Sequence, residues 1–324
     1  MIGGYRVVWG GLPLLLLSLL SLTLGAEPLP LLETLQRWWS GEAHPFVTIL
    51  VEIRLPRTLI ALTAGAALGL AGAVMQGLLR NPLAAPELMG SASGAALGAV
   101  ISLYFGLYLL WPLALPLGGV IGALLVTVVV YRLAGGGIST LTLILAGIAV
   151  NSLAMALISL LLNLAPSAYA VKEMLLWLLG SLANLSWHEF WLLLPGVGVG
   201  ALLLWRSGRA LDALTLGEES AATLGVDLTR LRLVVLVGTA LTVGPVVAVC
   251  GAIGFIGLVV PHLMRLWVGE QPSDLLGVSA LGGATLLLLA DIVTRLLPTH
   301  GDLKVGVVTA LLGAPLFLWL ILRR

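Results

Sequence analysis

The chain has 324 residues, of which 60% are hydrophobic and 10% charged, with a formal net charge of +1. Soluble domains run nearer 45–50% apolar and about 25% charged, and no single core of this length could hide so much apolar surface from water, so lipid is the expected solvent. The near-neutral balance supplies no basic field for nucleic acid. A single cysteine, Cys250, excludes an intrachain disulfide and reads as a small buried apolar residue.

Apolar stretches able to cross a hydrocarbon core of roughly 30 Å recur along the whole chain, divided by short segments rich in Arg, Pro, Gly, Asp and Glu. They predict about ten helices, at 9–25, 57–79, 87–107, 111–131, 141–163, 187–205, 232–250, 254–268, 275–296 and 305–322. The first reads as an uncleaved span, although Met1 to Ala26 also suits a cleavable secretory signal. Ahead of the second stands Arg54-Leu-Pro-Arg57. An arginine at the bilayer centre costs about 2.5–3.5 kcal/mol, so this segment belongs at an interface, with Pro56 starting the helix. Gly65 and Gly69 in the second span, then Gly90, Gly94 and Gly98 in the third, recur every four residues and predict close helix packing.

In the fifth span Asn151 is a polar side chain that must face protein or water, which makes it a pathway candidate. The connection from Arg206 to Arg232 carries four arginines and a segment that reads as a short polar helix closed by Gly225. A membrane protein driven by a soluble motor needs a rigid element projecting into water, and this is the best placed one. Asp291 and Arg295 lie one helical turn apart and predict an ion pair near the end of the ninth span.

An even number of spans returns both termini to one side. With the termini inside, Arg37, Arg54, Arg57, Lys172, Arg295 and Lys304 are the outer cations, and the other 10 of the 16 basic residues lie inside, as the positive-inside rule favours. The outer cations call for an acidic partner.

Chemistry of its own is hard to find in this chain. Its two lysines follow Val171 and Leu303, so no glycine-rich phosphate loop is present and any ATP-driven motor must be another polypeptide. Ser91 and Ser93 with a distant His262 are poor material for an intramembrane hydrolase, since their glycines fit the packing ridge. His188-Glu189 begins like a zinc signature, but Leu192 stands where the second histidine belongs, and His44 and His300 have no ligand spacing. A secondary transporter run by an ion gradient is the alternative class. It would need carboxylates near the midplane, and Asp291 is the nearest candidate.

Six ordered blocks carry a resemblance: Arg54 to Arg57; Gln76 with Arg80-Asn-Pro-Leu-Ala84; Trp177-Leu-Leu-Gly-Ser181; Leu216 to Gly225; Gly251 to His262; and Val305 to Pro315. From about residue 47 to the C-terminus the chain resembles the FecCD-type permeases of ABC importers for iron siderophores, haem and cobalamin. The resemblance implies an all-α integral membrane protein of the type II ABC importer permease fold, one transmembrane domain over 1–324 with a cytoplasmic coupling loop at 206–232. It implies a bacterial or archaeal inner membrane location, both termini cytoplasmic, and a homodimer with two ATPase subunits inside and a periplasmic or lipoprotein substrate-binding protein outside. No metal or cofactor belongs to this chain on that reading; ATP and Mg are bound by the ATPases. By the same resemblance Arg54, Arg57 and Arg295 dock the binding protein. Leu216, Gly217, Glu218, Glu219, Ser220, Ala221, Ala222, Thr223, Leu224 and Gly225 couple to the ATPases. Asn81 and Leu83, with Ser139, Thr140 and Leu141, form the cytoplasmic gate, where Leu141 departs from a more polar residue in some relatives.

Overall fold

A computed structural model describes residues 2–25, 28–135, 140–297 and 303–322. Ser139, His300, Met1, Ala26, Arg323 and Arg324 lie outside them. Among the described residues every regular element is helical. Ten long helices follow the expected order: α1 Ile2–Thr23, α2 Leu55–Leu78, α3 Ser91–Tyr104, α4 Ala114–Ala134, α5 Thr140–Asn163, α6 Trp187–Arg206, α7 Leu228–Cys250, α8 Ile256–Val268, α9 Pro272–Leu296 and α10 Val305–Leu322.

Packing ranks these helices. The most apolar windows of the α2 span and of α7 are 78% and 72% buried, against 22%, 33% and 28% for α4, α5 and α6, which turn outward. Helix α2 runs along α9 with Gly65 against Gly283 and Gly69 against Ser279, and its Gly72 meets Gly257 of α8. Helices α3 and α4 meet through Gly94 with Gly122 and Gly98 with Gly118. A Cβ at Gly65, Gly69, Gly72, Gly94 or Gly98 would strike the facing backbone. Lipid tails are as apolar as leucine, so it is this close backbone approach, with its dispersion contacts, that holds the helices together. Gly90, grouped with the ridge by its spacing, stands before α3 instead, where its φ of +75° ends a 3-10 turn at Pro86–Met89.

The second span starts earlier than expected. A turn at Pro45–Thr48 and a π-helix at Ile49–Arg54 lead without a break into α2, so Pro56 lies inside continuous helix. A π-helix pairs each N–H with the carbonyl five residues back, and Pro56 has no N–H to offer Val51. The indole Nε1 of Trp187 donates to that carbonyl at 2.9 Å in its place.

With 14 and 13 residues, α3 and α8 rise only about 20 Å each, so irregular backbone completes their passage. Such backbone survives at membrane depth only where protein covers it. Ahead of α8, Gly251 packs on Trp177 and Gly180, Ser181 N donates to the Cys250 carbonyl at 2.7 Å, and Gly306 N donates to the Gly180 carbonyl at 3.4 Å. Three of the six sequence blocks thus meet at one crossing. Glu189 has a local task as well: it accepts from Ser186 N at 2.8 Å and closes a capping box at the start of α6.

Candidate functional site

Polar groups gather at the two ends of α2, a helix of 24 residues and so about 36 Å long. At its N-terminal end, Asp291 of α9 is fully buried and binds two guanidinium groups. Arg57 donates from Nη2 at 2.7 Å and from Nε at 3.0 Å to Asp291 Oδ1, and Arg295 donates from Nη2 to Oδ2. The ion pair of Asp291 with Arg295 was legible one turn apart; that with Arg57 spans 234 positions of sequence and left no local sign.

Arg54 turns elsewhere. Its Nη1 donates to the carbonyls of Leu22 at 2.9 Å and Thr23 at 2.7 Å, the last turn of α1. Arg295 Nη1 adds a bond to the Ser21 carbonyl at 2.9 Å, and the Ser21 and Thr58 hydroxyls lie 2.8 Å apart. Cations at a helix C-terminus satisfy its orphan carbonyls and its dipole. The three arginines expected to face a partner therefore fasten α1, α2 and α9, and Arg57, with 19% of its side chain exposed, is the one that reaches the surface most among the two paired with Asp291. Arg54, Arg57 and Arg295 thus gather around the one buried carboxylate of this end, with Glu52 exposed on the same π-helix as Arg54.

At the other end the connection between α6 and α7 folds as two short helices, Gly208–Leu214 and Glu218–Thr223, rather than one. Gly217 at φ +105° and Gly225 at φ +86° bracket the second. Asp227 accepts from Arg230 N at 3.0 Å and starts α7 at Leu228, so Arg232 is a buried helical residue, not part of the loop. The first short helix is pinned by Asp212, which accepts from Ser273 N at 2.8 Å at the head of α9, and by the buried Leu211 and Leu214.

The second short helix is held by Glu218. One carboxylate oxygen accepts from Arg232 Nη2 at 2.7 Å and from Thr140 Oγ1, the first residue of α5, at 2.9 Å. Burial alone would raise the Glu218 carboxyl, but the hydrogen bonds from Arg232 and Thr140 and the charges of Arg232 and Arg80 hold it below its ordinary value. The outer face of this segment carries Leu216 at 67% and Leu224 at 63% exposure.

Asn81 Oδ1 accepts from Leu83 N at 2.9 Å in a tight turn after α2, and Leu83 and Leu141 are both exposed. Asn81 also lines a cleft of about 480 Å³ with Gln76, Arg80, His262 and Arg265. Asn151 is half-buried on α5. The structure brings Thr140 to Glu218, a contact between an expected gate residue and an expected coupling residue that no sequence spacing announced. Ser139, the remaining gate residue, lies outside the described residues.

The FecCD transport family matches residues 13–323. The vitamin B12 import system permease protein BtuC of Shigella boydii is 41% identical over 312 residues, which is 96% of this chain and 92% of that protein. The corresponding permease of Klebsiella pneumoniae is 41% identical over 315 residues, 97% of this chain and 92% of its own length. A solved metal-chelate type ABC transporter in an inward-facing conformation superposes with a TM-score of 0.88 at 32% identity over 99% of both chains. A second structure, PsaBC from Streptococcus pneumoniae, shares the fold with a TM-score of 0.52 at 18% identity over 89% of this chain and 94% of its own. Ten apolar helices, motif blocks that meet in space and a match running nearly end to end lead to one conclusion: the chain belongs to the FecCD transport family.

Proposed function

We propose that this chain is the membrane-spanning permease of an ABC importer that carries cobalamin, with an iron siderophore or haem as the other members of the substrate class. The observation that carries this reading is the 41% identity to a vitamin B12 import permease over 96% of the chain. The chain itself does no covalent chemistry. ATP and Mg act on two separate ATPase subunits, and a substrate-binding protein delivers cargo from outside to a homodimer whose termini are cytoplasmic.

On this reading the exposed Leu216 and Leu224 offer the ATPase an apolar grip on a segment otherwise pinned to α5, α7 and α9. ATP binding and docking of the binding protein each favour one arrangement of the helices by the difference in their affinity for the two states. Asn81, Leu83, Ser139, Thr140 and Leu141 close the path on the ATPase side, and Asn151 faces it. At the opposite end Arg57, with Arg54 and Arg295 behind it, pairs with acidic groups of the binding protein. An ion-driven secondary transporter is disfavoured because Asp291, the nearest candidate proton carrier, is engaged by two arginines.

The test is reconstitution in liposomes with a partner ATPase and a substrate-binding protein. ATP-dependent uptake of cyanocobalamin, competed by neither haemin nor a ferric siderophore, is the expected result. Uphill uptake by the purified chain with no second protein present would overturn the importer reading, and preferred uptake of haemin or a ferric siderophore would move the substrate within its class.

A further inference from the structure

We propose that Glu218 is a positioning residue that locks the coupling segment to the gate helix α5 through a single carboxylate oxygen shared by Thr140 and Arg232. The inference rests on the importer reading above and adds to it the atom through which a push on the coupling segment reaches the gate.

The Glu218–Thr223 helix has little apolar hold on the membrane helices: Ala221 is its buried residue, while Glu219, Ser220, Ala222 and Thr223 are exposed. Its position relative to α5 is therefore set by polar contacts. Glu218 Oε1 accepts at 2.9 Å from Thr140, on which α5 begins, and at 2.7 Å from Arg232 in the second turn of α7. Helix α5 is itself lightly held, with a third of its apolar window buried. A displacement of the short helix is thus passed to α5 and α7 at once.

The two arms of this bridge are unequal. The Arg232 side chain is 7% exposed and carries a charge, so its bond to the carboxylate is charge-assisted and the stronger of the two. The Thr140 hydroxyl is neutral and can bond to water or backbone instead. Arg232 therefore fixes the carboxylate, and the bond to Thr140 is the arm that carries its position to α5.

The assembled complex with its ATPase and binding protein, in liposomes, gives one readout: cyanocobalamin taken up per ATP hydrolysed. The permease in lipid nanodiscs, Cys250→Ala with spin labels at Ser220→Cys and Leu145→Cys, gives a second: the distance between the short helix and α5. Glu218→Gln and Thr140→Val should each lower the uptake ratio about tenfold and broaden the distance distribution. The double variant should be no worse than the poorer single one, and Thr140→Ser, which keeps the hydroxyl, should recover both readouts. Losses that multiply in the double variant, or Glu218→Gln with the parent ratio and a narrow distance, would overturn the bridge. A parent complex with no ATP-driven uptake would sink the importer reading instead, and the distances alone would then decide the bridge.

Discussion

Both ends of α2 gather arginines around one carboxylate, and they differ in how much water reaches it. Asp291 is fully buried between Arg57 and Arg295, whereas the Glu218 side chain is 37% exposed. Removing a buried partner leaves charges that nothing hydrates; removing a half-solvated one lets water in. The Asp291 end is therefore a fastening for α1, α2 and α9. The Glu218 end is an arrangement that can open at small cost, which suits a place where a motor acts. An importer that changes which side of its path is open needs both kinds of joint.

The difference can be tested directly. Asp291→Ala should destabilise the protein by about 3–5 kcal/mol, read as a lowered unfolding temperature in detergent. Glu218→Ala should cost about 1 kcal/mol or less because of its exposure; equal losses at the two sites would erase the distinction. Arg57→Gln should weaken binding-protein docking, measured by surface capture, while leaving the copurified ATPase in place. It should also destabilise the chain, since Asp291 loses a donor, and docking at parental affinity would count against a role for Arg57.

Smaller effects sharpen the comparison. Thr58→Val removes the hydroxyl pair with Ser21 and should cost about 1 kcal/mol, a loss visible in unfolding but not in uptake per ATP. Proton linkage gives the least. Glu218 has a lower value folded than unfolded, so its bridge contributes at any pH above the ordinary glutamate value of about 4.3 and fades only as pH falls through the depressed value. Uptake per ATP should therefore stay flat between about pH 7 and about pH 6. A decline over that interval would mean that another group controls the coupling.

The spans were readable because a long apolar run has one answer in lipid: a helix that satisfies its own backbone. Eight of the ten spans begin within a few residues of where hydropathy places them, from Ser91 to Val305, while the first two begin earlier, at Ile2 and Pro45. The spacing of Gly65 and Gly69, and of Gly94 and Gly98, correctly marked contact faces, though not their partners. Errors arose where local rules competed. Pro56 looked like a first helical residue, but the π-helix ahead of it and the indole of Trp187 absorb its missing N–H. Arg232 looked like a loop residue, but the cap at Asp227 draws it into α7.

By itself the sequence determined the solvent, the number and order of the spans, the absence of a phosphate loop and the residues that mark the family. All of these follow from composition and from local spacing, which a single chain displays. What each arginine does was decided only by tertiary structure. Arg57 finds Asp291 across 234 positions and Thr140 finds Glu218 across 78, because helix packing, not sequence distance, sets which polar groups meet.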